Sequence, residues 1–413
     1  MFRLKSIFAL MLSVVFVACA GPDVAIPAAP AAVPTSSTSA SEVPAAPDAP
    51  AEQAPVEEWF SAWANENLDN YRSYEEILAL AIQEGRVVWY SNTSRSRQVA
   101  DAFMERYPDI YVEVHNIGTA EMVARFYREQ AAGLRNADVL HLGDPDGSLL
   151  KEFVHAGKLH IWRPYDIVPY ITPDLMLTSF PFFVEFLAWF YNTDLFPDGA
   201  PITSWWDTTK PEWYGRIMGR HPLEHLGTLT QLTIMIKYAD EMAADYERVF
   251  GRPIELHPNS PTAAHEFMRR FYANDIIFLI SSAEISQTVA GSEEPMLGWT
   301  TSTALRRRAE MGLPLNFSTD LTPALALPNI SSLYIADNAE NVNAAKLLIR
   351  FMTDSHGLGF APYDTAGGWS PRFDLPLNEE NLPLSEMHFW RLDIEFIYYN
   401  ILTTGDFVRL ILN

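Results

Sequence analysis

The stretch from Arg86 to Leu142 constrains the chain most, because within it short apolar runs and helical spacings alternate without a break. Arg86 to Tyr90 is an apolar run, and Ser91, Asn92, Thr93 and Ser94 behind it are all possible helix N-caps. Val99 and Phe103 then lie four apart on one face of a helix from Ser96 to Tyr107, which Pro108 stops. Ile110 to Val114 reads as a second strand, Gly118 and Thr119 as a turn, and Met122 with Phe126 as a helical pair. Asp138 to Leu142 closes the unit as a third strand. Such alternation predicts a parallel sheet with helices packed on its faces.

At the start of the chain, Arg3 and Lys5 precede an apolar run from Ile7 to Val17 and the small residues Ala18-Cys19-Ala20. That pattern is a secretory signal, and the run is too short for a membrane span. Phe16 to Cys19 resembles a bacterial lipobox, with Phe where Leu is usual; an ordinary signal with an incidental Cys is the alternative. Cys19 is the sole cysteine, so a lipidated mature protein has no disulfide and must rely on its apolar core. Residues 20–56 are rich in Ala, Pro and Ser and cannot bury enough surface to offset the entropy of ordering. They predict a tether with a coil-like reach on the order of 35 Å. The aromatic residues between Trp59 and Tyr74 are spaced as covering helices.

A net charge of -23 argues against nucleic-acid binding or anionic-lipid binding through bulk charge, so any anionic ligand must be held by local donors. His221-Pro-Leu-Glu-His225 has the letters of a zinc-protease motif. That chemistry needs both imidazoles on one continuous helix, and Pro222 puts His221 outside it. A secreted hydrolase, the competing class of function, has no nucleophile elbow or workable zinc helix to support it. Farther along, Thr230 to Arg248 reads as one long amphipathic helix and Ile276 to Ile280 as a buried strand. The segment Glu294 to Trp299 reads as another strand, and Ala324 to Pro328 as a strand returning to the first part of the fold. The Arg306-Arg-Arg308 run reads as a solvated helix face that could instead meet an anion.

Several motifs, in this order, resemble family 1 extracellular solute-binding proteins, the branch with ferric-iron, thiamine, phosphonate and sugar-phosphate binders of ABC importers. They are Val87 to Tyr90, Ala102 to Asp109, Ala137 to Val139, Gly143-Asp144, Phe190 to Asp194, the Pro201 to Asp207 and Lys210 to Arg216 pair, and Asn341 to Met352. The resemblance implies an α/β, two-lobed type II periplasmic binding-protein fold with the ligand in an interlobe cleft. It implies a first lobe over residues 57–184, a second over 185–318, and a return to the first lobe with closing helices over 319–413. It further implies a monomer that captures a small, anionic organic solute outside the cytoplasm, performs no chemistry, needs no cofactor and delivers to an ABC permease.

Carried onto this chain, the ligand positions are Ser91, Asn92, Thr93, Ser94, Thr119, Asp144, Gly227, Thr228, Ser281, Ser282, Thr300 and Thr301. Arg95 is the nearest charge, and Trp299 or Trp89 could stack on an organic part. The ferric branch has a tyrosine pair where Ser302 and Thr303 stand here, and a histidine where Ser94 stands. Hydroxyls cannot replace phenolates on Fe(III), so iron would require a different ligand set, which stands as the alternative within this class. If Cys19 is lipidated, the full chain should partition into detergent and Cys19→Ala should move it to the aqueous phase. A wild-type protein that is already aqueous sinks the lipobox reading.

Overall fold

The computed structural model describes residues 73–354 and 357–412; the signal, Cys19, the 20–56 tether and the aromatic stretch before Ser73 lie outside them. The first helix, α1 (Tyr74–Glu84), starts in a capping box between Ser73 and Glu76 and ends on Gly85, whose φ of 65° suits glycine. Then come β1 (Arg86–Ser91), α2 (Ser96–Arg106), β2 (Tyr111–Asn116), α3 (Thr119–Ala131) and β3 (Val139–Gly143). β1 pairs in parallel with β2 on one side and β3 on the other, as the alternation predicts. The candidate caps behind β1 do not cap α2: its N-cap is Arg95, with no side-chain cap bond. Thr93 instead folds the turn on itself, its hydroxyl accepting from the Arg95 N–H and its carbonyl from the Ser96 hydroxyl.

The chain continues through β4 (Leu159–His160), β5 (Pro181–Asn192), β6 (Ile217–Gly219), α4 (Leu226–Lys237), α5 (Ala239–Phe250) and α6 (Ala263–Tyr272). There follow β7 (Ile277–Phe278), α7 (Ser282–Gly291), β8 (Leu297–Thr301), α8 (Arg307–Met311), β9 (Leu315–Phe317), β10 (Pro328–Ala336), α9 (Val342–Met352) and α10 (Ile394–Leu412). The main strand order is β2-β1-β3-β10-β5-β8-β6-β7. β5 is the pivot of this order. Its first half pairs antiparallel with β10, and its second half pairs antiparallel with β8 and β9.

Two apolar cores flank that pivot. The first gathers Trp89, Phe103, Phe126, Leu140, Leu333 and Leu347, and takes Phe182 and Phe183 from β5. The second gathers Trp205, Trp206, Phe267, Ile285 and Leu297, and takes Phe186 and Trp189 from the same strand. The Trp205 and Trp206 plates seal their loop as expected, each indole N–H donating to a backbone carbonyl, of Ala324 and Met242 respectively. Residues near the end of the chain return to the second core, where Ile397, Ile401 and Val408 bury one face of α10. Ser302 ties the crossing strand to this later segment: its hydroxyl accepts from the Phe186 N–H and donates to the Gly367 carbonyl.

Four sequence expectations need correction. The segment Thr230 to Arg248 is not one helix: it belongs to α4 and α5, which break at Tyr238, where the phenol donates to the Arg391 carbonyl and the ring stacks on Trp390. Residues 276–280 are not a buried strand, because β7 is an exposed edge paired only with β6. The Glu294 to Trp299 strand lies later, as β8. Ala324 to Leu327 bonds to Gln231, His388 and Trp390 instead of joining the sheet, so the returning strand begins at Pro328.

One buried carboxylate fastens the opening block to α9. Asp138 accepts from the Val88 N–H at 2.8 Å and from both the backbone and side-chain N–H groups of Asn341 at 3.0 and 2.9 Å. Removing it leaves buried donors unpaired, at about 1–3 kcal/mol for such a group. Asp138→Ala should therefore lower the stability of the full chain by at least that amount in urea titration, and an unchanged midpoint would show that water replaces the carboxylate.

Candidate functional site

The strand ends meet where β5 crosses between the cores. There a cavity of about 130 Å³ opens, lined among others by Asp144, Glu185, His225, Gly227, Gln231 and Thr301. Asp144 follows the end of β3, Gly227 sits in the first turn of α4, and Thr301 ends β8. Three of the residues expected from sequence thus share one cavity. Its position, at the carboxyl ends of parallel strands where the topology changes, is the usual seat of a ligand in open α/β folds.

Two carboxylates face this space. Asp144 accepts from the backbone N–H groups of Leu149 and Leu150, both at 2.9 Å, and so holds the start of the π-helical turn Leu149–Val154. Burial pushes its pKa up to about 7, against the pull of those bonds and with a further push from Asp146. Glu185 sits in the middle of β5, accepting from the Thr303 hydroxyl at 2.9 Å and from the Asn329 amide at 3.4 Å. Burial raises its pKa too, opposed by Thr303, Arg95, Asn329 and Arg306. Beside them Thr230 and Gln231 are almost wholly buried, and the Thr230 hydroxyl and the Gln231 side-chain N–H have no hydrogen-bond partner.

Cationic groups approach Glu185 from both halves of the molecule. Arg95, at the start of α2, is half-buried with its guanidinium 5.5 Å from the Tyr363 ring centre, and among the described residues no hydrogen bond or ion pair holds it. Burial lowers its pKa and the charge of Arg306 lowers it further, while Tyr363 and Glu185 act the other way. Arg306, whose Nη1 donates to the Thr303 carbonyl at 3.3 Å, ends the 3-10 turn Ser302–Arg306 that continues into α8. A helix face read as solvated therefore turns one of its arginines toward the crossing strand.

The remaining expected residues have local duties. The Asn92 amide donates to the Thr119 hydroxyl at 3.1 Å, bringing the ends of β1 and the start of α3 together at an exposed position. Ser94 is exposed and Ser91 is buried against His141 Nδ1 at 3.2 Å. Thr228 does not present a free N–H: His225 caps α4 and its Nδ1 takes both the Thr228 N–H at 3.2 Å and the hydroxyl at 2.9 Å. Burial drops the His225 pKa to about 4, so it caps as neutral imidazole. Ser281 caps α7, and Ser282 accepts from the Thr301 hydroxyl at 3.1 Å. Thr300 is buried, and Trp299 lies in the second core with its ring stacked 5.5 Å from that of Trp189, so one of its faces is taken; Trp89 is buried against His141.

Sequence reasoning passed over Glu185, Gln231, Asn329 and Tyr363. For Glu185 a signal existed: it is the one charged residue inside the apolar run from Phe180 to Tyr191. A carboxylate buried in such a strand costs too much to keep without partners. Among the described residues, no group of three or more His, Cys, Asp or Glu is placed to hold a metal ion.

No protein-family model matches the chain, and no curated protein matches it in sequence. Solved structures do match. Iron-bound HitA from Pseudomonas aeruginosa is similar with a TM-score of 0.59 at 15% identity, over 79% of this chain and 99% of that one. The apo ferric ion-binding protein A of Pasteurella haemolytica gives 0.61 at 14% identity, over 79% and 98%. AfuA from Actinobacillus pleuropneumoniae, a periplasmic binding protein with fructose-6-phosphate bound, gives 0.53 at 18% identity, over 80% and 97%. At such identities the likeness is one of fold, and it falls within the branch that the sequence motifs resemble: the chain has the two-lobed α/β fold of the periplasmic binding proteins.

Proposed function

We propose that the chain is the extracytoplasmic solute-binding component of an ABC importer, anchored through a lipid on Cys19 and spaced from the membrane by residues 20–56. It captures a small anionic organic solute, phosphorylated or carboxylated, and passes it to the permease unchanged. The observation that carries this reading is the Arg95 guanidinium, half-buried over the Tyr363 ring at 5.5 Å and without a hydrogen bond or ion pair among the described residues. Arg306 is ion-paired with Glu310 at 3.5 Å, so Arg95 is the cation left without a carboxylate at a partly desolvated site, and a guanidinium binds phosphate or carboxylate through paired N–H donors. The Thr93 hydroxyl, which accepts from the Arg95 N–H beside it, can offer its own O–H to the anion, whereas that of Thr301 is given to Ser282. The backbone N–H of Thr228 is engaged by its cap, so the anion is held by side chains more than by that helix start.

Ligand stabilisation gives the test. A bound anion at a hundredfold excess over its dissociation constant should stabilise the full chain by about 2.7 kcal/mol. Arg95→Ala should weaken that anion at least tenfold, the scale of a lost hydrogen bond to a charged group at about 1.5–3 kcal/mol. Screening phosphorylated and carboxylated solutes without any stabilisation, or finding Arg95→Ala as responsive as wild type, would return Arg95 to a packing role. Fe(III) added with a small anion should give no phenolate charge-transfer band, since Ser302 and Thr303 hold the tyrosine positions; a strong visible band would favour the ferric alternative.

A further inference from the structure

The cavity has the opposite character from Arg95 and Arg306, neither of which lines it. No Lys or Arg lines it, whereas Asp144 and Glu185 both do. Two further side chains there, Thr230 and Gln231, are 3% and 2% exposed and leave a hydroxyl and an amide N–H without partners. Buried polar atoms of this kind are rarely left unpaired, and a site where they converge on a cavity is one awaiting a ligand group. The neutral His225 adds no charge. With Arg306 ion-paired to Glu310 at 3.5 Å, Arg95 stands against the two carboxylates of Asp144 and Glu185, and negative charge is in excess within the cavity.

We infer that the cavity seats a protonated amine, so that the solute is a zwitterion with its ammonium between Asp144 and Glu185 and its anionic group on Arg95 and Arg306. This inference rests on the anion reading above and adds the half of the ligand which that reading leaves undefined. A simple anion would add charge beside two buried carboxylates, whereas a zwitterion brings them an ammonium and adds no net charge. The Gln231 N–H and the Thr230 hydroxyl then meet an oxygen of the ligand next to its amine. Glu185 becomes the residue that selects for the amine, held in orientation by Thr303 and Asn329.

Proton linkage separates the two kinds of ligand by sign. Burial favours the protonated form of both carboxylates, Asp144 to about 7 and with Asp146 and Tyr334 as its charged or titratable neighbours, Glu185 with Arg95 and Arg306. An ammonium stabilises their ionised forms, so its binding below about pH 7 releases protons. An anion without an amine, seated on the two arginines, raises the carboxylate pKa values and takes protons up.

The full chain should be titrated calorimetrically near pH 6 in two buffers of different ionisation enthalpy, with two matched pairs: O-phosphoethanolamine against ethyl phosphate, and β-alanine against propionate. The amine of at least one pair should bind tenfold or more tighter than its partner and release protons. Glu185→Gln should weaken the amine about tenfold and strengthen the plain anion, and Asp144→Asn gives the same contrast should the first variant fail to fold. Equal affinity within a pair, or proton uptake with the amine, overturns the zwitterion while leaving the anion reading intact. No binding by either member of either pair, with Arg95→Ala indistinguishable from wild type, overturns both.

Discussion

The join between the two apolar cores depends on the hydrogen bonding of one strand. β5 donates and accepts along its first half with β10 and along its second half with β8 and β9, and it supplies side chains to both apolar cores. A twelve-residue strand is long enough to serve both, at about 3.4 Å per residue. Because the same backbone is fixed at each end, the residues at its middle are held where the two cores meet. Glu185 is placed by this constraint, and so are its partners Thr303 and Asn329, which come from segments that pair with each half.

Electrostatics acts on two scales here. At long range the chain is strongly acidic, which slows the approach of an anion and is screened over about 10 Å at moderate salt. At short range a pair of guanidiniums sits in a partly desolvated setting, where charge interactions are several times stronger than in water. On the proposed reading the local field would select the ligand, while the acidic net charge discourages nonspecific anions from accumulating.

Much of the fold was legible because its signals are local. The alternation from Arg86 to Leu142, the Gly85 terminator and the tryptophan plates at Trp205 and Trp206 follow from short-range periodicity and turn chemistry. Elements failed where distant contacts decide. Tyr238 breaks a helical pattern by stacking on Trp390, and Ala324 to Leu327 leaves the sheet for partners more than sixty residues away in either direction. At the site, the family resemblance carried onto the chain pointed to Asp144, Gly227 and Thr301 among others, and these three line one cavity. The surroundings of Thr228 and Trp299 were not legible for a different reason: whether an N–H is free or a ring is covered depends on neighbours such as His225 and Trp189 that no spacing reveals.

The return of α10 to the second core bears on the order in which the protein can fold. The first core needs β10 and α9, and the second needs Ile397, Ile401 and Val408 from α10, so neither is closed by the residues that precede it in the chain. A chain delivered from its amino end therefore holds two incomplete apolar faces for most of its length, and only its last helix lets the second one close. Such a polypeptide resists compaction until its later segments are available to complete the two cores.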